Sequence, residues 1–459
     1  MLGILYDRRF RHLFGAQVFS LLGTGLATIA LALLAYDLAQ DNAGIVLGTA
    51  FAIKMVAYVG VSPLVGAFAA NFPRRTMLVT LDLCRAGMVG LLPFVSEIWQ
   101  VYVLVFLFQS FSAAFTPTFQ AMIPDILKDE KSYTNALSLS RLAYDLESLV
   151  SPALSALFLM FISFHWLFLG TVLGFIASAV LIMSITLPVS QDKAYVREEG
   201  LSRFTKGFRI YFATPRLRGL LAFSFAVSAA GAMVLVNTVV LVQEKLAGGD
   251  PLVALFFGAY GVGSMCVALG LPSLLTYFTD RQSMMAGAVT LVVGLVLALW
   301  MSGIGTGLVI WAILGAGASL ILTPSGRLLA RSAHPGDRTA LYAGHFALSH
   351  CGWLITYPMA GWVGATFGLP ATFMLMAILA AVAGLFGMLL WPAEDGKTLT
   401  HDHEATIHEH LHVHDEHHQH RHEGWEGPEP HHHSHRHAPI RHRHVFIIDN
   451  HHAAWPKAR

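Results

Sequence analysis

The sequence predicts an all-α membrane protein with twelve transmembrane helices in two six-helix halves, and three observations predict it. Apolar residues make up 55% of the 459 residues and charged residues 12%, about half the charged share of a soluble domain. Apolar stretches long enough to cross a bilayer, about 20 residues each, recur from Leu13 to Trp391 and then stop. Lysine and arginine crowd into every second connecting loop, as the positive-inside bias requires.

Taken in order, the first half holds expected spans at 13–39, 44–70, 76–96, 98–123, 135–163 and 166–187. Arg8, Arg9 and Arg11 precede the first apolar run, and no small-residue cleavage site follows it, so no removed signal peptide is expected. A hydrophilic break at 188–218 divides the halves and reads as a central cytoplasmic loop, with an amphipathic stretch at 204–212 lying on the membrane surface. The second half holds spans at 219–243, 252–278, 282–301, 305–329, 340–367 and 370–391. With the N-terminus in the cytoplasm, the cytoplasmic segments carry Arg74, Arg75, Lys128, Lys131, Arg281, Arg327, Arg331 and Arg338 besides the basic residues of the terminus and the central loop, whereas the opposite loops carry Lys245 alone. Both termini are therefore expected in the cytoplasm, and a bacterial inner membrane is the expected location. The chain divides into 1–187, 188–218, 219–392 and a polar tail at 393–459. The near-zero net charge gives no reason to expect a nucleic-acid partner. Lipid is the solvent for most of the chain, and the expected unit is a monomer. Cys84, Cys266 and Cys351 lie in apolar stretches without ligand or disulfide spacing and read as core residues.

Ionisable groups at membrane depth are costly, so the few present are candidates for a proton or ion path. Asp82 and Arg85 are three apart on the third span and can pair, either as path residues or as a structural pair. Arg141 and Asp145 are four apart on the fifth span and can pair likewise. Glu147 lies about 200° round the helix from Asp145 and needs a partner, a cavity or a proton of its own. It can carry a coupling proton or contact a cation, or it can pack as a buried acid. His345 and His350, about 140° apart on the eleventh span, are a poor chelating pair. Each can be a ligand or a hydrogen-bonded core residue. Lys54 can pair with an acid or snorkel. The sequence has no phosphate-cradling Gly-x-x-x-x-Gly-Lys-Ser/Thr loop and no nucleophile–base pair, so neither ATP-driven pumping nor an enzyme is expected.

Of the 24 histidines, 19 fall in the tail. His401 and His403 are followed by His408, His410, His412 and His414, then His417, His418, His420 and His422, then His431, His432, His433, His435 and His437. Imidazole suits nickel, zinc, copper and cobalt, and interleaved Asp402, Glu404, Glu409, Asp415 and Glu416 add oxygen ligands. The neutral ligand form dominates near neutral pH, so affinity should fall below about pH 6. An expression tag or a solvated polar end is the competing reading, but a tag is one uninterrupted run. With few aliphatic residues, the tail is expected to be disordered without a ligand.

Certain motifs resemble a known family. Gly66-Ala-Phe-Ala-Ala-Asn-Phe-Pro-Arg74-Arg75 resembles the signature loop of the major facilitator superfamily, with Ala70 where that family has an acid and Pro73 where it has glycine. The resemblance implies the major facilitator fold and a gate on the cytoplasmic side formed by Gly66, Arg74 and Arg75, while the missing acid leaves the loop's charge relay open. Phe115-Thr-Pro-Thr-Phe-Gln-Ala-Met-Ile-Pro-Asp125 with Asn135-Ala-Leu is similar to a branch of proton-coupled exporters. Ser349-His350-Cys-Gly-Trp-Leu-Ile-Thr-Tyr-Pro358 together with the tail resembles nickel-resistance permeases of the NreB type. That resemblance implies proton-coupled export of nickel, and in some members cobalt, as substrate and tail ligand, with no permanently bound cofactor. Composition alone does not separate nickel from zinc or cobalt. An exporter of organic compounds, with the tail as buffer or sensor, and a membrane-anchored metal store remain as alternatives.

Overall fold

The computed structural model describes residues 2–39, 43–68, 72–185, 201–248, 250–393, 398–403, 406–412, 431–437, 440–448 and 455. The first half is α1 (Arg8–Ala39), α2 (Ala43–Phe68), α3 (Arg74–Leu91), α4 (Ile98–Ile126), α5 (Glu130–Leu159) and α6 (His165–Met183). A separate helix α7 (Leu201–Ala213) precedes the second half, α8 (Pro215–Val240), α9 (Asp250–Leu274), α10 (Asp280–Leu297), α11 (Ile304–Ala330) and α12 (Arg338–Leu390). At 53 residues α12 is two spans in one: Gly368 takes a φ of 83° between them. Only glycine adopts that conformation without strain, and Pro370 cannot continue the hydrogen-bond ladder. The two arms bring the count to twelve, and the helices lie over the expected spans.

Nine helices among the described residues, α12 counted once, are long and apolar enough to cross a membrane. In α2 the corresponding apolar stretch is Thr49–Val65. Trp99, Trp166, Trp300 and Trp362 are exposed near helix ends, where amphipathic rings settle at a lipid–water boundary. Within the halves α1 packs on α5 and α6, α3 on α4 and α6, α8 on α12, and α11 on α9 and α10; α2 with α12 and α5 with α9 join the halves. Helix starts use local caps. Asp129 accepts a bond from the Ser132 amide at 2.8 Å, and Thr279 and Gln282 bond reciprocally at the start of α10.

The structure departs from the sequence reading in three places. The stretch at 204–212, expected on a membrane surface, has protein partners: α7 packs against both α2 and α12, with Ile210 and Tyr211 buried. Its Gly207 sits so near Ala340 that a Cβ would lie 2.2 Å from the carbonyl oxygen. Cys266 is exposed instead of core, and all three cysteines are free. The tail, expected to be disordered, forms β1 (Thr398–His403), β2 (Thr406–His412), β3 (His431–His437) and β4 (Ile440–Val445), with β1 antiparallel to β4 and β2 to β3. The run Val445-Phe-Ile-Ile448 supplies the apolar surface that reading discounted. Phe446 and Ile448 are 3% and 1% exposed within the core cluster of the second half, which also holds Leu217 and Trp391. Residues 186–200, including most of the expected central loop's first part, lie outside the described residues.

Candidate functional site

The arginines gather at one end of the bundle, and there the halves are closed against each other. Arg74, at the start of α3, pairs with Asp125 near the end of α4, and Arg338, opening α12, donates to the other Asp125 oxygen at 2.7 Å. One carboxylate thus bridges the halves, and Arg74 also donates to the Pro335 carbonyl at 3.1 Å. Arg327 of α11 pairs with Asp280 and lies 3.6 Å from Glu130 of α5. The Tyr133 and Tyr342 hydroxyls, both buried, meet at 2.7 Å, and Tyr342 donates to the Gly326 carbonyl. Lys206 of α7 pairs with Asp337 at 2.8 Å.

These contacts place the gating residues named from sequence. Gly66 lies near the end of α2, Arg74 joins the bridge, and Arg75 donates to the Met183 carbonyl at the end of α6, where a helix leaves carbonyls unsatisfied. Position 70 lies outside the described residues. Asp125 accepts the bond that ties the two halves, and Arg338 supplies it from the second half. Neither role was singled out from sequence.

Within the bundle the polar residues separate into three groups. Asp82 and Arg85 bond to each other and are both buried; Ser178 donates to Asp82 at 2.7 Å, and the guanidinium sits over the Phe115 and Phe175 rings at 3.9 and 4.5 Å. Every partner of that pair belongs to the first half. Arg141 reaches across to α9, donating to Ser264 at 3.1 Å. The side chain of Asp145 lies outside the described residues, so the expected Arg141–Asp145 pair is not described.

Glu147 points elsewhere, as its helical phase requires. Its Oε1 and the Ser151 hydroxyl lie where α1 has Gly25, and a Cβ there would stand 2.8 Å from Oε1 and 2.1 Å from the hydroxyl. Glu147 and His350 both lie in the field of Lys54. The Lys54 ammonium is 5.4 Å from the Tyr58 ring centre, and that ring meets His350 edge-on at 5.0 Å. His350 Nδ1 bonds to the Phe346 carbonyl at 2.7 Å. A carbonyl only accepts, so Nδ1 carries the proton and Nε2 keeps its lone pair. His345 serves a different contact, bonding Tyr211 of α7 at 2.9 Å. The two histidines are therefore not brought together as a chelate. Lys54 also lines a small cleft between α1, α2 and α4, with Thr28, Phe51, Phe108 and Gln109. The sequence offered Lys54 as one pairing option among several; its electrostatic reach to both candidates links side chains on three different helices.

Among the described residues no three His, Cys, Asp or Glu side chains converge as a metal centre. The backbones of His401, His403, His408, His410, His412, His431, His432, His433, His435 and His437 lie in the strands, while their side chains and all of His414, His417, His418, His420 and His422 lie outside the described residues. The tail's far end returns to the arginine-rich face. Trp455 stacks on the Arg216 guanidinium at 4.9 Å and meets Phe446 edge-on at 5.0 Å, while Arg216 donates to Ser332 at 2.8 Å.

A family model described as Major Facilitator Superfamily matches residues 13–304 and 221–447. The uncharacterized MFS-type transporter YvqJ of Bacillus subtilis (strain 168) is 23% identical over 423 residues, covering 88% of this chain and 98% of its own. Among solved structures, the human organic anion transporter MFSD10 superposes with a TM-score of 0.71 at 13% identity, covering 83% of this chain and 99% of its own. A bacterial homologue of the iron transporter ferroportin, in an outward-facing state, gives 0.67 at 14% identity over 83% and 99%.

Proposed function

Because this chain belongs to the Major Facilitator Superfamily, we propose that it is a multi-pass secondary transporter that exports a divalent metal, nickel or cobalt, from the cytoplasm in exchange for protons. The observation that supports the reading is the tail: it leaves the bundle at buried Trp391 and is held again at Phe446, Ile448 and Trp455, so the histidine-rich stretch is tied to the bundle at both ends. Tethering raises the local ion concentration there without forming the path itself. In this reading the arginine-rich end and both termini face the cytoplasm of a bacterium, the unit is a monomer, and the metal is substrate and tail ligand with no permanent cofactor.

Inside the membrane, Lys54 is the internal cation that neutralises Glu147. A proton arriving on Glu147 frees Lys54, and a metal ion arriving near His350 Nε2 competes with the same ammonium. Proton and metal thereby exclude each other through one lysine, which is what exchange requires. Nickel accumulation in everted vesicles with an acid interior, where protons leave as metal enters, tests the reading. Loading that a protonophore abolishes supports it, and absence of loading by inserted, folded protein sinks it.

A second reading, export of an organic compound with the tail as metal buffer or sensor, has its own observation. The wall beside His350 is aromatic, with the Phe346 ring 4.1 Å from the imidazole and Trp353 and Tyr357 tilted against each other at 5.0 Å farther along α12. Dye extrusion by the same vesicles, unaffected by nickel, would favour it.

A further inference from the structure

Opposed residues of an antiparallel pair share one face, with Cβ atoms about 4.5–5.5 Å apart, and successive residues alternate faces. In the β2–β3 ladder Thr406 stands opposite His437, His408 opposite His435, His410 opposite His433 and His412 opposite His431. Those histidines all occupy register positions of a single face. The other face holds Ile407 opposite Arg436, Glu409 opposite Ser434 and Leu411 opposite His432. The β1–β4 ladder repeats the division: His401 stands opposite His442 with His403 and His444 on the same face, while Asp402 and Thr400 face Arg441 and Arg443 on the other.

We propose that the β2–β3 ladder is a divalent transition-metal site built from cross-strand histidine pairs, with His410 and His433 as its central pair. The proposal rests on the tail being a metal ligand and adds which histidines bind and in what register. Adjacent pairs lie two residues apart, about 7 Å along the strand. Two such pairs offer four imidazoles, enough for one four-coordinate ion with metal–nitrogen bonds near 2.0–2.1 Å. The ladder also sets the backbone register before the ion arrives, so less chain entropy is lost on binding than in an unstructured tail. Segregating the strand arginines to the other face keeps their charge from competing with the ion.

Nickel titration calorimetry on the full-length protein in detergent, at about pH 7.5 where imidazole is neutral, separates register from mere histidine number. Replacing His410→Gln with His433→Gln weakens the tightest nickel site about tenfold or more, whereas His417→Gln with His418→Gln removes as many histidines and changes it less than about twofold. One glycine inserted between Glu409 and His410 keeps every histidine but throws His410 and His412 to the other face. It reproduces the loss. Equal effects of the two double replacements with a silent insertion overturn the ladder while leaving tail binding intact. If glutamine at every tail histidine from His401 to His444 leaves nickel binding unchanged, the tail reading itself fails.

Discussion

Asp125 shows how one side chain can set the state of a transporter. Its carboxylate is about one-fifth exposed and serves an arginine from each half. Asp125→Asn keeps the shape and removes the charge, weakening bonds worth about 1.5–3 kcal/mol each to a charged group. We expect a net shift of about 1–2 kcal/mol, a factor of roughly 5–30, toward an open arginine-rich end. Distances between spin labels on α4 and α12 would read that shift; an unchanged distribution would show that the bridge does not hold the closed state. Glu147→Gln makes a different claim. If the carboxyl carries the coupling proton, proton-driven uptake falls by about a hundredfold or more, and combining it with Lys54→Ala adds little, because the two act as one unit. Additive losses in vesicle uptake would dissociate them. The sequence made Glu147 conspicuous by its helical phase. It could not join Asp125 to Arg338, since spacing arguments see one helix at a time and those residues are 213 apart.

Helices were the legible level. Each apolar run became a helix, and even the division of α12 was visible as Gly368 followed by Pro370. What escaped was where amphipathic segments go. The apolar side of α7 could have met lipid or protein, and periodicity does not distinguish them; the contact at Gly207 and the Tyr211–His345 bond show that it wedges against α12. Gly207→Leu should push the helices apart, costing about 1–3 kcal/mol by overpacking and lowering the melting temperature, while Gly207→Ala costs less. A melting temperature unmoved by leucine would mean that α7 detaches freely. The α5 cap gives a pH signature. Bonds from the Ser132 backbone and side chain hold the Asp129 carboxyl below the ordinary aspartate range. Because the folded value lies below the unfolded one, this stabilisation is full above about pH 4 and fades as pH falls through the folded value. Asp129→Asn should therefore melt below the parent at neutral pH and converge with it in acid, and parallel melting curves would remove the carboxylate from the account. In the tail, alternate histidines were read as ligand density, though the same alternation has the two-residue period of a strand. The expectation of disorder suppressed that signal.

At the scale of the whole molecule, the tail joins the bundle at two points. Phe446→Asp should undo the second, losing roughly 1.5–3 kcal/mol of buried side-chain transfer, and expose Arg441 and Arg443 to trypsin while the bundle stays folded. Protection equal to the parent would place the anchor elsewhere. Under the transport reading, the same variant slows export at scarce metal and leaves the saturated rate alone, since tethering alters local concentration and not the path.

The sharing of Asp125 has a consequence for the cycle. When the halves part, Arg338 departs with the second half, but Arg74 belongs to the first and stays with the carboxylate. The acid is not left unpaired in a dry place, where breaking its pair would cost several kcal/mol. The closure behaves as a latch and not a weld: it can be released once per turnover, and the half that keeps the acid remains ready to be caught again.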